Sequence, residues 1–345
     1  MAELWDPWQI SEGAFPKKGT SSEKLRFLLN YAILAPSNHN AQPWLFRTVN
    51  DGIELYADRT RALPVVDSED RELTIGCGAA LFNLRMAFRN FGYEGVVQFF
   101  PDAGKPDLLA RISFGNEKPA TAEEHALFES IVQRRTNRMP FRTEPIQESL
   151  LSELETNATR EGASFHVVLG DENRNRLADL IAEADRIQMS DGHFRRELAA
   201  WIHPNRTASH DGTPGYAIGH GSLVSYLGPL VVRTFDVGKG QAAKDRQLAT
   251  GSPVLALLWT DNDTPPDWLS AGQAMMRVLL RAREDEVWAS FLNQPIELPE
   301  LRIQVRDMLV KKGFPQLILR MGYSQDVKPT PRRTPGEVLM RERLR

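Results

Sequence analysis

Pro36-Ser37-Asn38-His39-Asn40-Ala41-Gln42-Pro43-Trp44 sets a hydroxyl, three amide side chains and an imidazole between two prolines. Proline fixes φ, so the loop is stiff, and its polar set can read the edge of a planar heteroaromatic by hydrogen bonding. A capped turn anchored by Trp44 uses the same residues without a ligand. Just upstream, Leu25, Leu29 and Ile33 recur at i, i+4 and i+8, which predicts a helix that Pro36 ends. Downstream, apolar and polar residues alternate on both sides of Asn50-Asp51-Gly52, the pattern of a hairpin with a tight turn.

From Glu72 to Phe91 the chain reads as a helix with small residues first (Gly76, Gly78, Ala79, Ala80) and Leu81, Leu84 and Phe88 after them. Small residues early suggest close packing against another element. Residues 96–100 and 108–114 read as strands, and a polar break falls near residue 120. Beyond it, residues 123–138 read as one helix ending in Arg134-Arg135-Thr136-Asn137-Arg138. Residues 163–170, 252–261 and 315–323 read as strands, the second of them buried.

Two later stretches echo earlier ones. Leu150, Leu154 and Ala158 repeat the Leu25 face at a shift of 125 residues, and Gly272, Ala274 and Met275 repeat Gly78, Ala80 and Leu81 at a shift of 194. The shifts differ by 69 residues, so a second copy would carry an insertion, expected at about 185–250. Two unrelated amphipathic helices would also produce these matches.

The arginines of 134–138 suit a phosphate monoester, which accepts bidentate charged hydrogen bonds. A basic last turn complementing the helix dipole has the same composition. Lys328, Arg332 and Arg333 follow the last strand in a proline-stiffened tail that could return charge to the same phosphate, or simply be solvated.

In order, these segments resemble the flavin-dependent nitroreductase family, in its fused, Acg-type branch. Pro36, Ser37, Asn40, Gln42, Pro43 and Trp44 match the family's flavin-reading loop, Arg134 to Arg138 its phosphate motif, Pro295-Ile296-Glu297 the segment facing flavin N5, and Arg333 its terminal phosphate arginine. The resemblance implies an α+β nitroreductase-like fold of two fused, unequal repeats, residues 1–118 and 119–345, forming an intramolecular pseudo-dimer. It implies one FMN, held by Pro36, Ser37, Asn38, Asn40, Gln42, Arg134, Arg135, Thr136, Arg138, Pro295, Ile296, Glu297, Arg332 and Arg333. Each repeat lacks what the other has. Phe15-Pro16-Lys17-Lys18-Gly19-Thr20 has no arginine motif, and Ala158-Thr159-Arg160-Glu161-Gly162 replaces the Pro-Ser loop. One chain is therefore expected to complete one site as a monomer.

The implied activity is ping-pong hydride transfer from NAD(P)H to a nitroaromatic, quinone or similar acceptor, with no side chain assigned as acid or base. The alternatives are an FMN-sequestering protein with a lid and the same fold without flavin. The glycine-rich segment His203 to Gly221 looks like the lid, and Leu298, where the family often has glycine, would narrow the approach to N5.

Bulk properties restrict the partners. A net charge of −3 from 42 basic and 45 acidic residues gives no global attraction for nucleic acid. No apolar run reaches membrane-span length, and the N-terminus has no signal-peptide core. The single cysteine, Cys77, excludes an intramolecular disulfide, reads as a buried thiol and fits a reducing cytoplasm. Histidines 193, 203, 210 and 220 match no zinc spacing, so no metal is expected.

Overall fold

A computed structural model describes residues 6–219, 222–308 and 312–340. The first half runs α1 (Ser21–Ala32), β1 (Trp44–Val49), β2 (Gly52–Ala57), α2 (Arg71–Asn90), β3 (Tyr93–Phe99) and β4 (Leu108–Glu117). Helices α3 (Ala122–Ile131) and α4 (Glu148–Arg160) lead to β5 (Ser164–Val167). An excursion follows: α5 (Asp171–Ser190), α6 (Gly192–Ala200), the short parallel pair β6 (Ile202–His203) and β7 (Thr213–Pro214), α7 (Ser222–Thr234) and α8 (Gly238–Thr250). The chain ends with β8 (Val254–Thr260), α9 (Pro265–Glu284), β9 (Trp288–Phe291), α10 (Pro299–Met308), β10 (Phe314–Gly322) and α11 (Pro335–Val338).

Local chemistry explains the boundaries. Thr20 and Glu23 close a capping box on α1, Thr121 and Glu124 one on α3, and Thr264 and Asp267 one on α9. Asn50 takes φ +53° in the β1–β2 turn, a conformation asparagine tolerates better than most residues.

Two four-stranded antiparallel sheets result, ordered β1-β2-β4-β3 and β5-β8-β10-β9. Numbered in chain order within its own sheet, each has the order 1-2-4-3. The fold is α+β. Helices α2 and α9 cross between the sheets within one core that draws on both halves, including Leu25, Trp44, Phe82, Leu154, Met276 and Leu319. At the crossing Gly78 and Gly272 meet backbone to backbone. A Cβ on Gly78 would collide with the Leu269 carbonyl, and one on Gly272 with the Ile75 carbonyl. The two collisions are mutual counterparts at the 194-residue shift.

The sheets differ on their outer faces. The first is polar there: Glu54, itself buried, is clasped by Arg47 at 2.6 Å and Arg111 at 2.5 Å, both side chains partly exposed. The second is covered by α5 and α10 through Leu177, Ile181, Leu301 and Val305, so every residue of β8 is buried, as its unbroken apolar run requires.

Two expected boundaries shift. The helix expected to reach Arg138 stops at Ile131, and Asn137 donates its N–H to the Ala289 carbonyl, drawing residues 132–138 alongside β9. The excursion begins directly after β5, ahead of the expected 185, because Asp171 starts a 20-residue helix whose buried face includes Leu177, Ile181 and Ala184.

Candidate functional site

A cavity of about 770 Å³ lies where the Pro36 loop, the start of α2, the 136–138 segment, the 290–297 segment and helices α5 to α8 converge. A small pocket of about 130 Å³ adjoins it, lined by Arg134, Arg135, Arg138, Arg332, Trp8 and Tyr216 among others. Thr136 and Arg138 line both spaces.

Charge in the small pocket is unbalanced. Arg134, Arg135, Arg138 and Arg332 have no carboxylate within ion-pairing distance among the described residues. Arg134 donates to the Leu34 carbonyl at 3.0 Å and leaves Nε buried without a partner. Arg135 lies 3.8 Å over the Trp8 ring and donates to the Val132 and Arg134 carbonyls. Arg332 also sits over Trp8, donates to Asn40 Oδ1 at 2.8 Å and leaves its own Nε unpaired. Burial, then repulsion by Arg135, brings Arg134 down to about 9. Burial, then Arg134 and Arg135, holds Arg332 well below the usual arginine range. Buried cations without counter-charges are costly, and a bound anion removes that cost.

The Pro36 loop is held in an unusual backbone: His39, Asn40 and Gln42 all have φ between +48° and +56°. Each such non-glycine residue costs on the order of 1 kcal/mol, so the surroundings must impose the shape. They do so through amides. Asn40 Nδ2 donates to the Gly212 and Pro331 carbonyls, and Gln42 Nε2 donates to the His210 carbonyl while its Oε1 accepts the Arg333 N–H. Asn40 and Gln42 therefore stitch the loop to the excursion and the tail, away from the cavity wall. Ser37, Asn38 and His39 face the cavity. His39 was not singled out from the sequence. Its Nε2 is buried without a partner, and burial followed by Arg138 holds the ring down to about 4, hence neutral.

The 290–297 segment divides similarly. Glu297 faces the cavity and accepts from Gln188 Nε2 at 2.6 Å, while Pro295 and Ile296 are buried behind it. Leu298 packs against the core outside the second sheet rather than at the cavity, which corrects the expectation that it narrows the approach. Arg333 also turns away from the small pocket. Its guanidinium is taken up by the Gln42, Trp44 and Glu337 carbonyls and by Asp58 at 3.4 Å. Lys328 lies over the Tyr216 ring.

Four acids at the cavity wall were invisible as a group in the sequence, because they come from α2, α5, α8 and the 294–297 turn. Glu72 accepts from Asn38 at 2.6 Å and Asn293 at 3.1 Å, and burial brings it up to about 7. Glu297 is raised by burial and by Glu72. Asp185 and Asp245 share the Gln294 amide, and burial, then Asp245, raises Asp185 from 3.8 to about 8. A carboxyl raised on folding contributes stability that is full below its unfolded value and lost as pH rises through its folded value. Asp185→Asn should thus gain urea stability relative to wild type as pH rises from about 4 to about 8. A difference constant across that range would show that Asp185 titrates normally.

The 203–219 segment borders both spaces. Thr213 and Ile218 line the cavity, Tyr216 and Ala217 the small pocket, and Asp211 pairs with Arg61 at 2.7 Å. His220 and Gly221, at the end of the expected lid, lie outside the described residues.

No protein-family model matches the chain. A protein of Mycobacterium tuberculosis (strain ATCC 25618 / H37Rv) named "Putative NAD(P)H nitroreductase acg" is 29% identical over 326 residues, covering 93% of this chain and 95% of that protein. Over nearly its whole length the chain is similar to Acg-type nitroreductases. A Serratia sp. protein named "Probable NAD(P)H nitroreductase PigM" is 25% identical over 342 residues, covering 93% and 94% of the two chains. Among solved structures, the FMN-dependent nitroreductase NfnB from Mycobacterium smegmatis, in complex with NADPH, aligns over 64% of this chain and 99% of its own, with 17% identity and a TM-score of 0.41. No described helix is long and apolar enough to cross a membrane, and no described cluster of three or more histidine, cysteine or acidic residues could hold a metal ion.

Proposed function

We propose that this chain binds one FMN between its halves and acts as a nitroreductase-like oxidoreductase. The observation that carries this reading is the set of four arginines without ion-pair partners among the described residues, Arg134 and Arg332 buried and Arg135 and Arg138 half-buried, in a pocket adjoining the large cavity. The orphaned Nε atoms of Arg134 and Arg332 fit a phosphate, and the orphaned Nε2 of His39 fits an acceptor or donor on a ring beside it. Arg134, Arg135, Arg138 and Arg332 would hold the phosphate, with Thr136 adding a hydroxyl. Ser37, Asn38 and His39 would meet the ring, and Asn40, Gln42 and Arg333 keep the loop in shape. When bound, FMN supplies the redox chemistry, taking hydride from NAD(P)H and passing electrons to a nitroaromatic, quinone or similar acceptor. The chain's part is to orient ring and substrate and to keep bulk water out.

The two halves, 1–118 and 119–345, are read as fused, unequal repeats. The common strand order, the reciprocal glycine contact and the division of site residues between the halves support this. A monomer then suffices: gel filtration with absorbance should give one FMN per monomeric chain. A ratio near two, or flavin lost on dilution to monomer, would sink the reading.

A second reading, FMN sequestration, is favoured by one feature. The 203–219 segment is bonded to the Pro36 loop through Gly212, His210 and Thr213, closing over both spaces in the manner of a lid. Stopped-flow mixing with NADPH separates the two: a reductase bleaches its flavin within seconds, whereas a sequestering protein stays oxidised.

A further inference from the structure

We propose that the excursion between β5 and β8 makes its half of the cavity a subsite for organic cations, ligands that carry a protonated amine or amidine on an apolar body. The walls there are Phe194, Leu198, Trp201, Val231, Val237 and Leu248, an apolar and aromatic surface suited to such a body. Into this wall are set two carboxyls, Asp185 from α5 and Asp245 from α8, 4% and 6% exposed. Both accept from the same Gln294 Nε2, at 3.2 and 2.9 Å, so the two groups converge on one point. Asp245 has one further donor, Gln241 Nε2 at 2.8 Å, and Asp185 Oδ2 accepts from no described amide, hydroxyl or cationic donor.

The cations of the cavity do not satisfy them. Arg138, Lys244 and Arg320 line the same space, yet none forms an ion pair with Asp185 or Asp245 among the described residues, and Arg320 donates to the Met139 and Asn137 carbonyls. Two converging buried carboxyls with one shared donor need a cation between or beside them, or a proton. On giving up its proton Asp185 Oδ2 becomes a charged acceptor for an ammonium, and the surrounding wall takes its hydrocarbon. The subsite deepens the proposed function, resting on it for the identity of the cavity as the substrate space.

The test is calorimetric titration of the purified full chain with three probes of one shape: 4-nitrobenzylamine, 4-nitrobenzyl alcohol and 4-nitrobenzoate. The expected order is cation, then neutral, then anion, with the cation at least about 10-fold tighter than the alcohol, as a charge-assisted hydrogen bond implies. Asp185→Asn and Asp245→Asn should each shrink that preference while leaving the alcohol unchanged. If the alcohol and the amine bind equally to the wild-type protein, the carboxyls merely share a proton and the proposal is overturned, whether or not the variants fold. A preference that survives both substitutions overturns it too. FMN content, read by absorbance in the same samples, keeps the two readings apart: protein without flavin defeats the proposed function, while the charge preference is still measured in the empty cavity.

Discussion

Arg332→Ala is expected to weaken FMN by about 10-fold to 150-fold and to leave riboflavin nearly unaffected. One charge-assisted hydrogen bond to a buried phosphate contributes about 1.5–3 kcal/mol, which sets that range. Arg332 is the member of the tail pair that faces the small pocket, stacked on Trp8 and held well below the usual arginine range by burial and by Arg134 and Arg135. Without a ligand its removal relieves repulsion but leaves Asn40 Oδ1 without that donor, so the two effects oppose and the stripped variant should change little in stability. Arg333→Ala should behave in the opposite way. Asp58 would stay buried with Arg61, 3.7 Å away, as its remaining ion-pair partner, and the carbonyls of Gln42 and Trp44 would lose their donor. Stability should fall in the stripped protein, and FMN and riboflavin should weaken together. Fluorescence titration of both ligands against both variants decides the assignment: equal weakening by Arg332→Ala would mean that this arginine shapes the site without touching phosphate.

Gly272→Ala is expected to cost about 3 kcal/mol, near the top of the range for overpacking a core. Most overpacked sites relax because a flexible side chain moves aside. Here the added methyl meets the Ile75 carbonyl and lies 2.9 Å from Gly78 Cα, so only a separation of α2 from α9 makes room. That separation would open the core shared by both halves. Gly78→Ala should cost a similar amount against the Leu269 carbonyl, and the double variant should not be rescued, because each methyl meets backbone rather than the other methyl. Gly240→Ala in α8 is the control. Nothing lies within 4 Å of its Cβ position, so it should be neutral or stabilising by up to about 1 kcal/mol. Urea midpoints measure all four, and a Gly272→Ala midpoint equal to wild type would mean that the helices do not cross this tightly.

What the sequence determined by itself was local or short in range. Pro36 ending α1, the Asn50 turn, the buried run of β8 and the small early face of α2 each follow from a few neighbouring residues, and each is where the pattern put it. The resemblance of the Pro36 loop and the 134–138 arginines to one family was legible for the same reason: motifs are short strings. Tertiary structure alone decided which of those residues face the cavity. Asn40 and Gln42 look like ligand-reading amides in the string, yet their partners, Gly212, His210, Pro331 and Arg333, lie 168 to 291 residues away. Arg332 and Arg333 are adjacent and alike in composition, and only the positions of Trp8, Asn40 and Asp58 send one to the small pocket and the other to the loop. Asp185 and Asp245 belong to separate helices and become a pair when α5 packs on α8. Hydrogen bonds and charges act over a few ångströms, so a residue's role is set by its neighbours in space. For these residues the neighbours come from distant parts of the chain.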